Sequence, residues 1–153
     1  MVSELTKTQA TLYEADYNLW LEDTIQKLQS QAFDTVDWEN LIEEIASLGR
    51  SEKRRLESLL TRLFEHLLKL TYWQNEREPN RGHWEGEIIN FRKQINKELK
   101  ASPSLKNYLS EIFDDCYQDG RDIAAKRSQL PLETFPVEAI GSLEQILDED
   151  WLP

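Results

Sequence analysis

The sequence contains very few of the residues that build disulfides, metal sites and tight turns. Among 153 residues there are one cysteine, two histidines, five glycines and five prolines. A single cysteine, Cys116, cannot form a disulfide within the chain and excludes a zinc site built on several thiolates. Low glycine and proline content argues against turn-rich sandwiches and barrels. A lone thiol is also typical of a reducing compartment, so we expect a cytoplasmic protein.

Positive charge and long hydrophobic runs are scarce as well. The chain has 18 basic and 29 acidic side chains and a formal net charge of −11. General nucleic-acid binding needs a basic surface, and we regard it as unfavoured. No stretch approaches the roughly 18 apolar residues of a membrane helix, and the N-terminus lacks the basic and apolar regions of a signal peptide. We therefore expect no membrane association.

The chain does contain many apolar residues at helical spacing. Leu, Glu, Lys, Gln and Arg are abundant, and no strand-like alternation of useful length occurs. This pattern predicts an all-α protein, a single-domain helical bundle of four to five main helices with a short C-terminal helix. We assign residues 1–12 to a flexible N-terminal arm and residues 13–153 to the helical domain. The first helix is predicted to begin at Tyr13 and to end near Gln31.

A helical hairpin is predicted next in the chain. Asp37 can cap the second helix, Gly49 is a residue that commonly ends a helix, and Ser51 can cap the third helix. The second helix has an apolar face that we expect to be buried, formed by Trp38, Leu41, Ile42, Ile45 and Leu48. The third helix has the widest apolar arc and should be central to the core: Leu56, Leu59, Leu60, Leu63, Phe64, Leu67 and Leu68.

The later helices have local signals at their ends. The polar segment 74–82 contains Pro79 and is interpreted as a connection, after which Trp84 marks the fourth helix. Ser102 followed by proline is typical of a helix start, and it predicts the fifth helix. Gly120 lies on the apolar face of that helix, where it either permits close helix contact or weakens the helix.

The C-terminal region and the tryptophans complete the fold prediction. Ser142 can cap a last short helix that runs through Leu147. Three tryptophans occupy apolar helix faces and are predicted to be core residues: Trp20, Trp38 and Trp84. Trp73 and Trp151 lie at the ends of elements and are candidates for exposed anchors of a partner.

No catalytic motif is present in the sequence. Acidic neighbours should raise the pKa of the Cys116 thiol and make it unreactive. His66 flanks the core stripe of the third helix, and two interpretations are open. It is either a packed side chain hydrogen-bonded to a backbone carbonyl or, if the hairpin forms in the right register, a ligand together with Glu43 and Glu44. His83 and Glu87 share a helix turn, but two ligands do not make a metal site.

The charges are distributed unevenly along the chain. Residues 1–49 carry 2 basic and 10 acidic side chains, residues 50–100 carry 12 and 8, and residues 101–153 carry 4 and 11. A basic cluster opens the third helix: Arg50, Lys53, Arg54 and Arg55. It is either paired with Glu39, Glu43 and Glu44 of the preceding helix or a patch that binds an acidic partner, namely a nucleic-acid end or the acidic face of a second subunit.

Several segments together are similar to a known family. They are Tyr13–Tyr17 with Trp20, Trp38–Ile45, Leu48–Glu52, His66–Lys69, Trp84–Arg92, Ser102–Leu105 and Leu147–Pro153. This combination resembles the bacterial "domain of unknown function 29" family, which is frequent in cyanobacteria, over nearly the whole chain. The resemblance implies a small all-α protein with no established activity or cofactor, and it supplies no catalytic residue.

The sequence therefore favours a non-catalytic cytoplasmic protein that self-associates or binds another protein. The candidate partner surface comprises Arg50, Lys53, Arg54, Arg55, Trp73 and Trp151. The alternative is a metal-dependent hydrolase or ligand-binding bundle that uses His66 with Glu43 or Glu44. We assign no cofactor, metal or catalytic residue.

Overall fold

In a computed structural model, residues 12–153 are described, and this range contains helices and no strand. Its four long helices are α1 (Tyr17–Gln29), α2 (Trp38–Tyr72), α3 (Gln74–Ala101) and α4 (Leu105–Ser128), and the short α5 (Leu143–Leu147) follows. Single 3-10 turns cover Phe33–Thr35 and Leu132–Thr134. The all-α prediction is confirmed. Within the described range, no helix combines the length and the apolar character needed to span a bilayer.

The described residues divide into two compact units, residues 12–51 and residues 52–153. The boundary falls inside α2, so residues 38–51 of this helix belong to the first unit and residues 52–72 to the second. The predicted N-terminal arm, residues 1–12, lies outside the described residues except for its last position.

The predicted hairpin between the second and third helices is wrong, because α2 is one continuous helix of 35 residues. Its start is as predicted: the backbone N–H of Asn40 donates to Asp37 Oδ1 at 3.3 Å. Gly49 does not adopt the left-handed conformation that ends helices and has helical neighbours on both sides. Glycine permits a helix end without imposing one, and an interior glycine costs only about 1 kcal/mol relative to alanine.

The core of the second unit surrounds the C-terminal half of α2, as predicted. Leu56, Leu60 and Leu63 have no exposed surface, and the neighbouring leucines are buried with them. α4 packs closely on this part of α2 at Gly120, where an added Cβ would lie 2.8 Å from Phe64 Cβ. The predicted close helix contact is therefore confirmed, and α4 continues through the glycine without a break.

α3 begins at Gln74, ten residues before the predicted start at Trp84, and it includes Pro79. The assignment of a loop here is wrong because a tertiary contact supports the helix junction. Arg77 Nε donates to the carbonyl of Leu70 at 2.8 Å, and its Nη2 donates to the carbonyl of Thr71 at 2.7 Å. These carbonyls belong to the last turn of α2 and lack helical partners. One arginine thereby stabilises the end of one helix from the first turn of the next.

The starts of α4 and α5 show how well local signals predict helix ends. α4 begins at Leu105 with Ser104 as N-cap, two residues after the predicted cap at Ser102. α5 begins as predicted: the N–H of Gln145 donates to Ser142 Oγ at 3.3 Å, and the N–H of Ser142 donates to Gln145 Oε1 at 3.0 Å. This reciprocal pair is a capping box.

Side chains of α3 hold the C-terminal segment of the second unit. The Nε of Arg92, which has no exposed surface, donates to the carbonyl of Ile146 at 2.7 Å. One turn later, Asn96 Nδ2 donates to the carbonyl of Leu147 at 3.1 Å. Both carbonyls lie in the last turn of α5, where a helix has no partners of its own. Burial lowers the pKa of Arg92.

Candidate interaction surface

The first unit is held together by an aromatic and carboxylate cluster. The hydroxyls of Tyr13 and Tyr17 both donate to the carboxylate of Glu44, Tyr17 at 2.6 Å. The ring centroids of Tyr13 and Trp20 lie 4.8 Å apart in an edge-to-face arrangement. Trp20 is buried, as predicted. These contacts place α1 beside the N-terminal half of α2.

The two phenols also determine the ionisation of this cluster. Their hydrogen bonds lower the pKa of Glu44 because they stabilise the carboxylate. The hydrogen bond to Glu44 raises the pKa of Tyr13 to about 12, and it raises the pKa of Tyr17 as well. Glu44 is therefore an ionised acceptor that uses both oxygens for structure, at Oε1 for Tyr13 and at Oε2 for Tyr17.

The neighbouring face of α2 is apolar and exposed. Trp38, Ile42, Ile45 and Leu48 follow one another at helical spacings of four and three residues, so they form one continuous surface, which we call the exposed stripe. Their exposed fractions are 46%, 63%, 61% and 67%. The prediction that Trp38 is a core residue is wrong, and of the apolar face predicted for this helix only Leu41 is half-buried. α1 covers the adjacent side of α2 through Glu44, and a single helix covers only one side of its neighbour.

Two further features characterise the exposed stripe. The indole N–H of Trp38 donates to the carbonyl of Phe33 at 3.0 Å, which holds the ring in place. Gly49 follows the stripe on the same face, and a Cβ added there would meet nothing within 4 Å among the described residues. Residues 45–51 are all exposed. Exposed apolar surface concentrated in this way is typical of interaction sites.

The basic cluster is largely engaged within the chain. In the first unit, Arg50 pairs with Glu43 at 2.5 Å along the same helix. In the second unit, Arg55 pairs with Glu98 at 3.2 Å, and the ammonium of Lys53 lies 5.3 Å from the centre of the Tyr108 ring. Arg54 borders a shallow groove that also contains Ser58, Thr61 and Arg62. The carboxylate partners thus come from α2 itself and from α3, because the predicted hairpin does not form.

Trp73 and Trp151 are both half-buried within the second unit. The ring of Trp73 stacks on Trp84 with centroids 5.6 Å apart, and Trp84 is a core residue as predicted. The ring of Trp151 lies against Gly141, where an added Cβ would approach it to 2.9 Å. Their role as partner anchors stays a prediction, and they offer a partner less surface than the exposed stripe does.

His66 is packed in the core of the second unit. It is 5% exposed, and its Nδ1 lies 2.8 Å from the carbonyl of Arg62, which accepts a hydrogen bond from it. Phe91 contacts the ring edge-to-face at 5.2 Å between centroids. Burial lowers the pKa of the imidazole, so it is neutral near pH 7. This geometry matches the structural interpretation of His66.

The other members of the candidate ligand site lie elsewhere. Glu43 pairs with Arg50 and Glu44 binds the two tyrosines, all within the first unit, whereas His66 belongs to the second. The hairpin that would have brought them together is absent, since residues 38–72 form one helix. Across residues 12–153, no three histidine, cysteine, aspartate or glutamate side chains converge as a metal site.

Cys116 is buried in the second unit and behaves as the sequence predicts. It is 1% exposed, and its pKa is raised to about 11. The main cause is burial, and nearby carboxylates such as Glu57 and Asp119 add to it. The acidic neighbours in the sequence predict the same direction of the pKa change.

The structure defines an all-α protein whose most unusual surface is apolar. The chain belongs to the family described as Domain of unknown function DUF29, which matches it over residues 12–152. The family resemblance seen in the sequence is therefore confirmed. No curated protein and no solved structure shows a significant match to this chain.

Proposed function

We propose that this protein is a non-catalytic interaction protein that binds a helix of another polypeptide chain on the exposed stripe. The observation that carries the proposal is the exposure of Ile42, Ile45 and Leu48, each above 60%, beside a half-exposed Trp38. Contiguous large apolar side chains on one helix face are the surface that an amphipathic helix recognises.

The exposed stripe supplies a substantial part of the energy that specific binding needs. Complete burial of one large apolar side chain contributes about 1.5–3 kcal/mol. Since the four side chains are roughly half to two-thirds exposed, covering them contributes on the order of 5 kcal/mol before the entropic cost of association. Additional contacts at the edges of the exposed stripe would add to this value.

The chemistry of the surface favours recognition over reaction. The four side chains of the exposed stripe do not titrate, and their one polar atom, the indole nitrogen of Trp38, already donates to Phe33. His66 of the candidate ligand site and the single thiol, Cys116, are buried in the other unit. We also propose a cytoplasmic location, with which a free buried thiol is compatible.

Site-specific photo-cross-linking tests the proposal. A photoreactive amino acid is placed at Ile45 in cells that naturally produce the protein, and at Ser47 as the control. Ser47 is equally exposed but lies two residues further along α2, about 200° around the helix. We expect discrete cross-links to protein from position 45 and none from position 47. Identical patterns from both positions, or no cross-links at all, would contradict the proposal.

A further inference from the structure

We infer that the exposed stripe binds a second copy of this chain, with residues 38–49 of the two copies packed antiparallel so that Trp38 lies over the partner's Gly49. This inference rests on the proposed function and specifies the binding partner. Three observations support it: the register of the stripe, the position of Gly49 and the amount of apolar surface in the stripe.

Two exposed stripes can pack against each other in an antiparallel register. In such a pair, each step forward along one helix is matched by a step back along the other. Suppose that Ile42 lies opposite the partner's Ile45. Trp38, four residues before Ile42, then lies opposite the partner's Gly49, four residues after Ile45. Trp38 and Gly49 are eleven residues apart, about three helical turns, so both face the same side. The largest side chain thus meets the smallest residue, twice by symmetry.

Gly49 lacks an explanation within the described residues. Its backbone is not left-handed, and a Cβ added there would have open space around it. Glycine in a helix interior is destabilising relative to alanine, so this position weakens α2 without relieving a clash. Gly120, in contrast, is required by the close approach of Phe64. An equally close approach by the indole of a second copy would give Gly49 a comparable role.

The apolar surface of the exposed stripe is about what a symmetric dimer needs. Stable interfaces bury roughly 800 Å² per partner, and about 65% of this area is apolar in homodimers. The four side chains of the exposed stripe are each at least 46% exposed. With areas of roughly 200 Å² each, they offer on the order of 500 Å². Two helices cannot enclose such a surface, whereas two pairs of helices can form a four-helix bundle.

The negative charge of the first unit should make dimerisation depend on salt concentration, and the direction of this dependence distinguishes a second copy from a basic partner. Residues 12–51 carry 2 basic and 9 acidic side chains, so two first units repel each other. The contact itself is apolar, because Glu43 and Arg50 pair on the other side of α2. Salt screens the repulsion, so self-association should strengthen as ionic strength rises. A basic partner protein bound to the same acidic unit would show the opposite dependence.

Sedimentation of the purified full-length protein over a range of concentrations and salt tests the inference. We expect a reversible dimer that tightens with salt. Gly49→Leu should weaken dimerisation by about tenfold or more, since the added side chain occupies the space of the indole. Helicity by circular dichroism should be kept, because leucine favours helix more than glycine does. Ser47→Leu adds the same bulk on the opposite face and should leave the dimer intact.

Disulfide trapping tests the register directly. An equimolar mixture of Ile42→Cys chains and Ile45→Cys chains should form the mixed disulfide faster than either variant forms its own. The buried native Cys116 does not compete. Equal rates for mixed and homogeneous pairs would overturn the antiparallel register.

The outcomes separate this inference from the proposed function. The chain could stay monomeric at all concentrations and salt levels while position 45 cross-links to other proteins in the cell. That result would overturn the inference that the partner is a second copy, and it would leave the proposed function standing. A monomer without cross-links from position 45 overturns both. A dimer that is unaffected by Gly49→Leu contradicts the contact between Trp38 and Gly49.

Discussion

The two halves of α2 have the same type of sequence and opposite environments. In the second unit, the apolar residues of α2 are enclosed, and Leu56, Leu60 and Leu63 have no exposed surface. In the first unit, Ile42, Ile45 and Leu48 follow the same helical spacing and are more than 60% exposed. A 3.6-residue pattern therefore defines a face of the helix, but it does not say whether that face is covered by the same chain.

The difference arises from the number of elements that surround each half. α3, α4 and α5 all contribute buried side chains to the second unit. Besides its portion of α2, the described part of the first unit has one long helix, α1. Because one helix covers one side of another, the second side stays open for an additional helix. Substitutions at matched positions in the two halves can test this explanation.

The largest expected contrast is between two leucines of α2. Leu63→Ala should lower the free energy of unfolding by about 2–5 kcal/mol, because it leaves a cavity in a closely packed core. Leu48→Ala should change it by no more than about 0.5 kcal/mol at concentrations where the chain is monomeric. Urea denaturation measures both values. A large loss of stability for Leu48→Ala in the monomer would show that the first unit is covered by its own chain.

At two glycines in helix interiors, substitution by alanine should change the free energy of unfolding in opposite directions. Gly120→Ala should destabilise the second unit by about 1–3 kcal/mol, since the new Cβ would lie 2.8 Å from Phe64 Cβ and 2.9 Å from the carbonyl oxygen of Thr61. Gly49→Ala should stabilise the monomer by about 0.5–1 kcal/mol through helix propensity alone. Thermal or urea unfolding decides the signs. Destabilisation of the monomer by Gly49→Ala would contradict the open space at this position.

The reactivity of one cysteine in each unit should reflect how deeply its side chain is buried. At pH 8, Cys116 should react with a thiol reagent on the order of 100-fold more slowly than a cysteine introduced by Ser47→Cys, because burial raises its pKa to about 11 and blocks access. The reaction is followed with and without denaturant. Rapid modification of native Cys116 would contradict the packing of α4 on α2.

The smallest expected effect concerns the ionisation of Glu44. The double substitution Tyr13→Phe and Tyr17→Phe removes both donors, so the pKa of Glu44 should rise towards its usual range. Since the folded pKa of Glu44 is depressed, its stabilising effect is present above the unfolded pKa and is lost as the pH falls through the folded pKa. Carboxyl carbon NMR titration measures the change. An unchanged Glu44 pKa would show that the phenols do not control this carboxylate.

Much of the second unit follows from local sequence signals. The leucines between residues 56 and 68 predict the core, because burial on several sides requires a wide apolar arc. Ser142 predicts the start of α5, because a side-chain cap depends on residues within one turn. Gly120 predicts close helix packing, because it lies on an apolar helix face where a side chain is missing.

The errors fall where a side-chain contact between two helices or an uncovered face decides the outcome. Pro79 and its polar neighbours resemble a loop, but Arg77 supports the junction by binding carbonyls of α2. Trp38 has the pattern of a core residue and is 46% exposed. Glu52 interrupts the apolar face after Gly49, but an interrupted face can still be covered by another helix, so this feature does not predict the exposure.

The sequence by itself determined the all-α class of this protein, the core of the second unit and the starts of α2 and α5, because helix periodicity and capping depend on neighbours a few residues away. The tertiary structure decided that α2 continues through Gly49, that Glu44 and His66 belong to separate units, and that the exposed stripe is left uncovered. These properties depend on which helices pack together. The free energy of packing comes from many contacts between residues distant in sequence, and a local sequence pattern does not specify those contacts.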